Sequence, residues 1–293
     1  MRVTVAGAGM VGLSSAYRLA EAGHDVTVVA AAPPRESTSA VAGGVLYPPG
    51  HRLDERVVRW TAASLAVFRG QDAPGVRFRR GRVLLAAGAP DPQWLPAVGA
   101  ARVGDRVEFT TAVVDTPVYL SWLLAGVRAL GVRVEYRTLT SLSGLDADVV
   151  VNAAGLGAGP LAGDDSMVPV GGQVVHVTDP GVAEFVVDET GPGVTYVIPH
   201  GTHVVCGGTE EPGRGDTDPN PGVTADILRR CRELEPRLAE AKVLRSLVGL
   251  RPFRREVRLE REGDVVHCYG HGGAGITLAW GCAADVAALV TAG

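Results

Sequence analysis

The glycines of GAGMVG, residues 7–12, have the spacing of a phosphate-binding loop. They follow RVTVAG, which is typical of a buried strand, and precede an apolar helical face; a second strand, DVTVV, follows at residues 25–29. In such a β-α-β unit the glycines allow a tight turn, a close backbone approach to a pyrophosphate and helix-on-strand packing, and the helix N-terminus attracts phosphate. The residues predicted to bind a dinucleotide here are Gly7, Ala8, Gly9, Met10, Val11 and Gly12.

The end of the second predicted strand departs from the usual dinucleotide site. An acidic residue that holds the ribose is expected there, and the chain has Ala30-Ala31-Ala32 instead. Either Arg35 or the polar group Ser37, Thr38 and Ser39 takes over the ribose and phosphate contacts, or the adenosine end is held more loosely.

Further glycine-rich stretches occur far along the chain, at residues 36–50, 148–159 and 269–281. The middle stretch follows a predicted buried strand, as expected where a parallel sheet brings a second loop to the cofactor. A nicotinamide cofactor is normally bound by one contiguous half of a chain. Loops in the first, middle and last parts therefore favour a long, enclosed cofactor, FAD, over NAD.

Composition limits the class of protein. The chain has 293 residues, of which 46% are hydrophobic and 20% charged, so it can bury a large core or two domains. A net charge of −4 and the lack of long runs of like charge argue against nucleic acid as a partner. We find no room for a leader before residue 2 and no uninterrupted apolar stretch long enough for a bilayer, so we expect a soluble protein without membrane attachment.

The cysteines are scattered at positions 206, 231, 268 and 282, without C-x-x-C or Cys/His pairs at zinc spacing. We therefore expect reduced thiols and no metal site. Because the chain ends in T-A-G and lacks a peroxisomal S-K-L signal, we expect a cytoplasmic location.

Several segments together resemble the D-amino acid oxidase family of flavoproteins. They are GAGMVGLSSA, AVAGGVLYP, VNAAGLGAGPLAGDD with VPVGGQVV, YVIPHGTHVVCGGT, VGLRPFRREVRLERE and YGHGGAGITLAWGCA, which occur in the family's order along the whole chain. The last two are the most specific. The resemblance implies noncovalently bound FAD and oxidation of a D-amino acid to an imino acid, which hydrolyses to a 2-oxo acid and ammonia, while dioxygen reoxidises the flavin to give hydrogen peroxide.

The family pattern also implies roles for individual residues. Arg251 matches the arginine that clamps the substrate carboxylate, Tyr196 matches the tyrosine that donates to it, and the carbonyl of Gly273 matches the contact for the amino group. No side chain need act as a general base, so we assign no catalytic residue and treat His271 as a spacer. Arg258 is the other arginine implied to contact the cofactor. Further residues implied to bind FAD are Thr38, Ser39, Gly43, Gly44, Val45, Leu46, Gly155, Arg251, Gly272, Gly273, Gly275, Ile276 and Thr277.

Two differences from related sequences indicate which substrate side chains this protein accepts. Vertebrate members carry a second tyrosine on a lid where this chain has Pro192 in a GPG turn, so we expect a truncated lid. Related D-aspartate oxidases carry arginines where the alignment puts Glu189 and Glu210. These carboxylates would repel an acidic side chain, so we expect neutral or basic D-amino acids. Two exposed glutamates without a role are the alternative.

The expected fold is α/β, with a Rossmann-like FAD-binding domain interleaved with an α+β substrate domain built on a mixed sheet. We assign residues 1–48, 130–172 and 246–293 to the first domain and residues 49–129 and 173–245 to the second. The alternatives are a glycine or sarcosine oxidase, a D-aspartate oxidase, and, with less support, a flavoprotein without enzymatic activity. The expected partners are a D-amino acid and dioxygen, and a homodimer is left open.

Overall fold

The computed structural model describes residues 1–48 and 54–292. Residues 49–53 and 293 lie outside the described residues, and they include the end of the glycine-rich stretch 36–50 and the last residue of T-A-G. The strands are β1 (Arg2–Ala6), β2 (Asp25–Ala30), β3 (Val76–Leu84), β4 (Ala101–Val103), β5 (Arg106–Val114), β6 (Arg133–Tyr136), β7 (Val149–Asn152), β8 (Val168–Thr178), β9 (Phe185–Asp188), β10 (Thr195–Pro199), β11 (His203–Gly207), β12 (Glu211–Pro212), β13 (Val243–Glu262) and β14 (Val265–His271). The helices are α1 (Met10–Glu21), α2 (Glu55–Gly70), α3 (Leu95–Val98), α4 (Thr116–Ala129), α5 (Ala158–Ala162), α6 (Pro221–Leu234) and α7 (Gly275–Thr291).

One part of the sheet is parallel and delivers loops to a common edge. Its strand order is β14-β7-β1-β2-β6, with parallel pairing at every step. Val5 pairs with Val28 on one side and Val151 on the other, and all three are buried, as expected for strands covered on both faces. The loops after β1, β2 and β7 therefore lie side by side at the carboxyl ends of these strands.

The rest of the sheet is mostly antiparallel and continues from the parallel part. The order is β4-β5-β3-β9-β10-β11-β8-β13, where only β3 and β9 pair in parallel among the described strands, and β13 joins β14. Strand β12 pairs with β8 beside this path. This topology confirms the expected α/β class with a mixed sheet. The interleaved domain division stays a prediction, and two of its boundaries, 172/173 and 245/246, fall within strands β8 and β13.

Helix α7 packs mainly against helices α1 and α2. A Cβ at Gly281 would collide with the backbone of Trp60, so this glycine lets α7 approach α2 closely. The indole of Trp280 donates a hydrogen bond to the Tyr119 hydroxyl of α4 at 2.9 Å. By length and composition the segment Gly272–Thr291 is apolar enough to cross a membrane, although it contains Gly281 and Asp285, and the expected lack of membrane attachment stays a prediction. However, 61% of its apolar window is buried inside the protein, as in a core helix.

Candidate active site

A large cavity lies at the carboxyl ends of the parallel strands. Its volume is about 1620 Å³, and its wall combines the loops after β1, β2 and β7 with residues of β8, β10 and β13. Ordinary ligand pockets are roughly 300–1,000 Å³. This cavity therefore has room for a dinucleotide cofactor together with a small substrate.

Most of the residues singled out in the sequence line this cavity. They are Gly7, Ala8, Gly9, Met10, Val11, Thr38, Ser39, Gly43, Gly44, Val45, Gly155, Tyr196, Arg251, Gly272, Gly273, Gly275, Ile276 and Thr277. Gly12 and Leu46 are among the predicted cofactor residues that do not line it. Gly12 faces the Gly7 carbonyl inside the turn, and Leu46 is fully buried in the hydrophobic core. Both therefore support the cavity wall from behind.

The first glycine loop is tightly closed around the start of α1. Gly7 has a φ of +113°, and a Cβ there would collide with the Ala153 carbonyl after β7, while a Cβ at Gly12 would collide with the Gly7 carbonyl. Ser39 Oγ accepts a hydrogen bond from the Met10 backbone N–H at 3.1 Å. The first turn of α1 contains no acidic residue, so its positive end can attract a phosphate group.

The adenosine end of a bound dinucleotide would meet the loop after β2. Ala31, Ala32, Ser37, Thr38 and Ser39 line the cavity there. Arg35 is exposed, forms an ion pair with Glu36 at 3.5 Å and is not part of the wall. Of the two replacements considered for the missing acidic residue, the serine and threonine group is thus the one the fold brings to the cavity. Sequence reasoning missed the carboxylate of Glu36, which also lines the wall.

The last glycine loop forms the entry to α7. Residues Gly272–Ala274 make a 3-10 turn, and α7 begins at Gly275 without an acidic residue in its first turn. Thr277 Oγ1 donates to the Tyr47 carbonyl at 3.1 Å, which ties this helix end to the loop around Gly44. A helix N-terminus at this place can stabilise negative charge that develops in the cavity.

Arg251 and Tyr196 meet across the glycine-rich strands that lie between them. Arg251 on β13 donates from Nη1 to the Thr209 carbonyl at 2.8 Å. A Cβ at Gly172 on β8 would collide with the Arg251 guanidinium, and a Cβ at Gly207 on β11 would collide with the Tyr196 ring. Glycine at these two positions therefore leaves space for both side chains to meet above the sheet. Neither glycine was singled out from the sequence.

The charge of Arg251 acts directly on Tyr196. Burial raises the pKa of the Tyr196 hydroxyl, whereas the nearby Arg251 guanidinium, which hydrogen-bonds to it, partly offsets that rise. Tyr196 is thus a neutral donor beside a permanent cation. Gly273 completes the group, since a Cβ there would lie 3.5 Å from Arg251 Cδ. A guanidinium and a hydroxyl facing one cavity can bind a carboxylate together.

Tyr47 is a residue that sequence reasoning missed. It lines the cavity and its hydroxyl donates to Glu189 Oε1 at 2.9 Å. Burial raises the pKa of Tyr47 well above its ordinary value, and the negative charges of Glu189 and Glu210 raise it further. Both glutamates line the same cavity. The only sequence signal for Tyr47 was its position just after the GGVL glycines.

The connection between β9 and β10 is short, as the GPG turn indicates. It comprises residues 189–194, and Gly191, Pro192 and Gly193 line the cavity directly. The wall here is therefore formed by backbone and small side chains, and the described chain has no longer lid segment between these strands.

A buried group of sulfur and imidazole atoms lies at the cavity wall, which two of its residues, Cys268 and His271, help to line. Cys268, His271 and Cys282 place their potential ligand atoms within 4.8 Å of one another, a proximity that their sequence spacing hid. Hydrogen bonds from Cys282 and His271 lower the pKa of the Cys268 thiol. His271 Nε2 is buried without a hydrogen-bond partner among the described residues. The absence of a metal site stays a prediction.

The suggested role of Arg258 in cofactor binding is not supported by its position. Arg258 does not line the cavity; it forms ion pairs with Glu260 at 2.6 Å and with Glu262 at 2.5 Å. It also donates to the hydroxyl of Tyr269 at 2.9 Å. Its positive charge is thus paired with carboxylates of the β13–β14 hairpin.

Comparisons with known proteins agree with this geometry. The model of a family described as "FAD dependent oxidoreductase", DAO, matches residues 2–289. A D-amino-acid oxidase from Rubrobacter xylanophilus is 45% identical over 313 residues, covering 99% of this chain and 96% of the relative. A D-amino-acid oxidase from Streptomyces coelicolor is 40% identical, with 99% and 96% covered. A human D-aspartate oxidase is 35% identical, with 99% and 94% covered.

Solved structures share the fold at lower identity. A glycine oxidase from Bacillus cereus superposes with a TM-score of 0.82 at 21% identity, covering 99% of this chain and 95% of the other. An L-proline dehydrogenase from P. horikoshii also gives a TM-score of 0.82, at 16% identity, with 99% and 93% covered. At these identities the likeness establishes the fold alone.

The cavity also fits the cofactor that this family uses. Gly9 precedes the first residue of α1 and places no side chain there, and Gly43 leaves space beside Tyr196, where a Cβ would lie 3.2 Å from the ring. The N-termini of α1 and α7 both open on the cavity and suit the phosphates and an electron-rich ring. With a family model that matches nearly the whole chain, the protein belongs to the DAO family of FAD-dependent oxidoreductases.

Proposed function

We propose that this protein is a D-amino acid oxidase that converts neutral or basic D-amino acids, dioxygen and water into 2-oxo acids, ammonia and hydrogen peroxide. The observation that carries the proposal is the pairing of Arg251 with Tyr196 beside Gly273, in the cavity that also contains the phosphate-binding loop. Curated relatives with this activity in their names are 45% and 40% identical over nearly the full length.

We call Arg251 and Tyr196 the carboxylate clamp. Each residue in and around this clamp has a separate task. Arg251 binds the substrate carboxylate, Tyr196 donates a hydrogen bond to it, and the Gly273 carbonyl accepts one from the amino group. Bound FAD would supply the acceptor for the hydride of the substrate α-carbon and the route by which its two electrons reach dioxygen. Catalysis then depends mainly on how these residues orient the α-carbon, so no general base is required. Noncovalent attachment of FAD and a cytoplasmic location remain predictions from the sequence.

A peroxide assay tests the proposed function. The purified protein with excess FAD should release hydrogen peroxide with D-alanine and not with L-alanine. Glycine and D-aspartate belong in the same assay because they represent the alternatives. Turnover of glycine without D-alanine would indicate a glycine oxidase, and a clear preference for D-aspartate would indicate a D-aspartate oxidase.

Tyr196→Phe should weaken substrate binding without removing the flavin. The loss of one hydrogen bond to a charged carboxylate costs about 1.5 kcal/mol, which corresponds to a roughly tenfold lower kcat/KM. We expect most of the loss in KM. Tyr136→Phe is the matched control, because Tyr136 is exposed on β6 and does not line the cavity. An unchanged KM for D-alanine in Tyr196→Phe would show that Tyr196 does not bind the substrate carboxylate.

A further inference from the structure

Two cysteines meet at the wall of the substrate cavity. Cys268 lies on β14 and lines the cavity, whereas Cys282 lies on α7, is fully buried and is not among the described residues of the wall. The Sγ atoms of both cysteines and a ring nitrogen of His271 lie within 4.8 Å of one another. Both thiols are free. We call Cys268 and Cys282 the cavity cysteine pair.

The two thiols of the cavity cysteine pair differ in acidity. Hydrogen bonds from Cys282 and His271 lower the pKa of the Cys268 thiol to about 6, although burial acts in the opposite direction. Burial raises the pKa of the Cys282 thiol well above its usual value, and the neighbouring Cys268 raises it further. Near neutral pH, Cys268 therefore carries a thiolate and Cys282 keeps its proton. Because the thiolate is the nucleophilic form, Cys268 is suited to react first and Cys282 second.

The proposed reaction would release an oxidant beside this pair. Hydrogen peroxide would form in the same cavity that Cys268 lines, so the thiolate would meet the product where it is made. Thiolates that are in contact with a cavity are the cysteines that peroxide oxidises most readily, and a second thiol close by converts the first product into a disulfide.

We propose that hydrogen peroxide oxidises the cavity cysteine pair to a disulfide that slows the enzyme. The inference rests on the proposed function, which supplies the peroxide. The Cys268 thiolate attacks one oxygen of the peroxide, the O–O bond breaks, and the released hydroxide takes up a proton to become water. Cys282 then attacks the sulfur of the sulfenic acid, the S–S bond forms, and the hydroxyl leaves with the Cys282 proton as a second water. The two electrons that the sulfurs lose reduce the peroxide.

A disulfide at this place would shift the loop that carries Gly273. Formation of the bond brings the two sulfurs to about 2.05 Å, closer than unbonded sulfur atoms can approach. The chain between the two cysteines includes the turn Gly272–Ala274 and the start of α7, so this turn moves when β14 and α7 are drawn together. The Gly273 carbonyl is assigned to the substrate amino group, and a misplacement of about 1 Å can lower a rate by up to about 10²-fold.

The other two cysteines provide a comparison within the same chain. Cys206 on β11 and Cys231 on α6 also adjoin each other, but both are fully buried and neither is among the described residues of the cavity wall. A hydrogen bond with Cys231, together with burial, raises the pKa of the Cys206 thiol. The Cys231 thiol donates to the Tyr196 carbonyl at 3.4 Å. This pair should therefore stay reduced under conditions that oxidise the cavity cysteine pair.

The test exposes the full-length, FAD-loaded protein to added hydrogen peroxide and, separately, to turnover of D-alanine without catalase. Free thiols are then alkylated, and the protein is digested with chymotrypsin, whose cleavage sites after Tyr269 and Trp280 separate the two cysteines of the pair. We expect peptides joined through Cys268 and Cys282, alkylated thiols at the other two cysteines, and a kcat/KM for D-alanine that is about tenfold lower. Dithiothreitol, added after the peroxide is removed, should restore the thiols and the activity.

Cys282→Ala is the diagnostic variant. It keeps the first thiol but removes the second, so peroxide should leave a sulfenic acid on Cys268 that dimedone traps, and no joined peptides should form. Cys206→Ala is the matched control, because it removes a buried thiol away from the cavity and should leave the joined peptides unchanged.

Absence of joined peptides in the wild-type protein would overturn the inference, and so would joined peptides with unchanged activity. If Cys282→Ala fails to fold, the wild-type peptide map still decides. Added peroxide requires no turnover, so this arm separates the two claims. Joined peptides in a protein that oxidises no D-amino acid would refute the proposed function and leave the oxidation of the pair established.

Discussion

Arg251→Met should lower kcat/KM for D-alanine by about 10²-fold or more. The substitution removes the guanidinium that faces the substrate carboxylate and leaves that carboxylate without a cationic partner in a partly buried cavity. Truncation of one member of such a charge pair costs about 3 kcal/mol, which corresponds to about 10²-fold in rate. Arg251→Lys should recover only part of the loss, because an ammonium cannot form the paired hydrogen bonds of the guanidinium fork.

Arg255→Met is the control for this experiment. Arg255 belongs to the same strand, is exposed and does not line the cavity, so its replacement removes an equal charge without touching the substrate. Steady-state kinetics with D-alanine, together with the flavin absorption of each variant, separate substrate binding from cofactor loss. Equal activities of the two variants, both with bound FAD, would contradict the assignment of Arg251.

Gly12→Ala should strongly weaken both FAD binding and the fold. A Cβ at this position would collide with the Gly7 carbonyl, which is backbone and is itself held by the Gly7 N–H bond to the Val29 carbonyl at 2.8 Å. Relief of the collision must move the loop that faces the phosphates. Overpacking of this kind costs about 3 kcal/mol, and a protein of this size should lose roughly 5 to 10 °C in Tm.

Gly70→Ala provides the comparison. Gly70 ends α2, and a Cβ there would meet no atom within 4 Å. Its Tm and FAD content should stay close to those of the wild type, because exposed substitutions usually change stability by less than about 0.5 kcal/mol. Thermal unfolding with and without added FAD measures both effects. A Gly12→Ala protein with normal Tm and FAD content would show that the loop tolerates a side chain.

The first β-α-β unit was predictable because its determinants are contiguous in the sequence. The strand pattern, glycine spacing and helical face all lie within residues 2–29, and the structure forms β1, α1 and β2 there. The glycine motif alone could not predict which residues line the cavity and which support its wall from behind. Gly12 and Leu46 belong to matching segments, yet their positions behind the wall depend on packing against Gly7 and the core.

Contacts between distant segments were the hardest to predict. The Tyr47–Glu189 hydrogen bond joins residues far apart in the chain, and no local pattern marks either residue as the partner of the other. Arg258, in contrast, is paired locally, because Glu260 and Glu262 on the same strand hold its guanidinium away from the cavity. Resemblance placed Arg251 and Tyr196 in one site, but the glycines that leave space between them became evident only from the sheet register.

The most direct test of the central claim is an anaerobic absorption spectrum of the FAD-loaded protein, recorded before and after D-alanine and, separately, L-alanine. We expect D-alanine alone to bleach the visible flavin bands and admission of air to restore them. This result would establish the cofactor, the chirality of the substrate and the reaction with dioxygen together. Bleaching by L-alanine alone, or no bleaching by any D-amino acid including D-lysine, would contradict the proposed function.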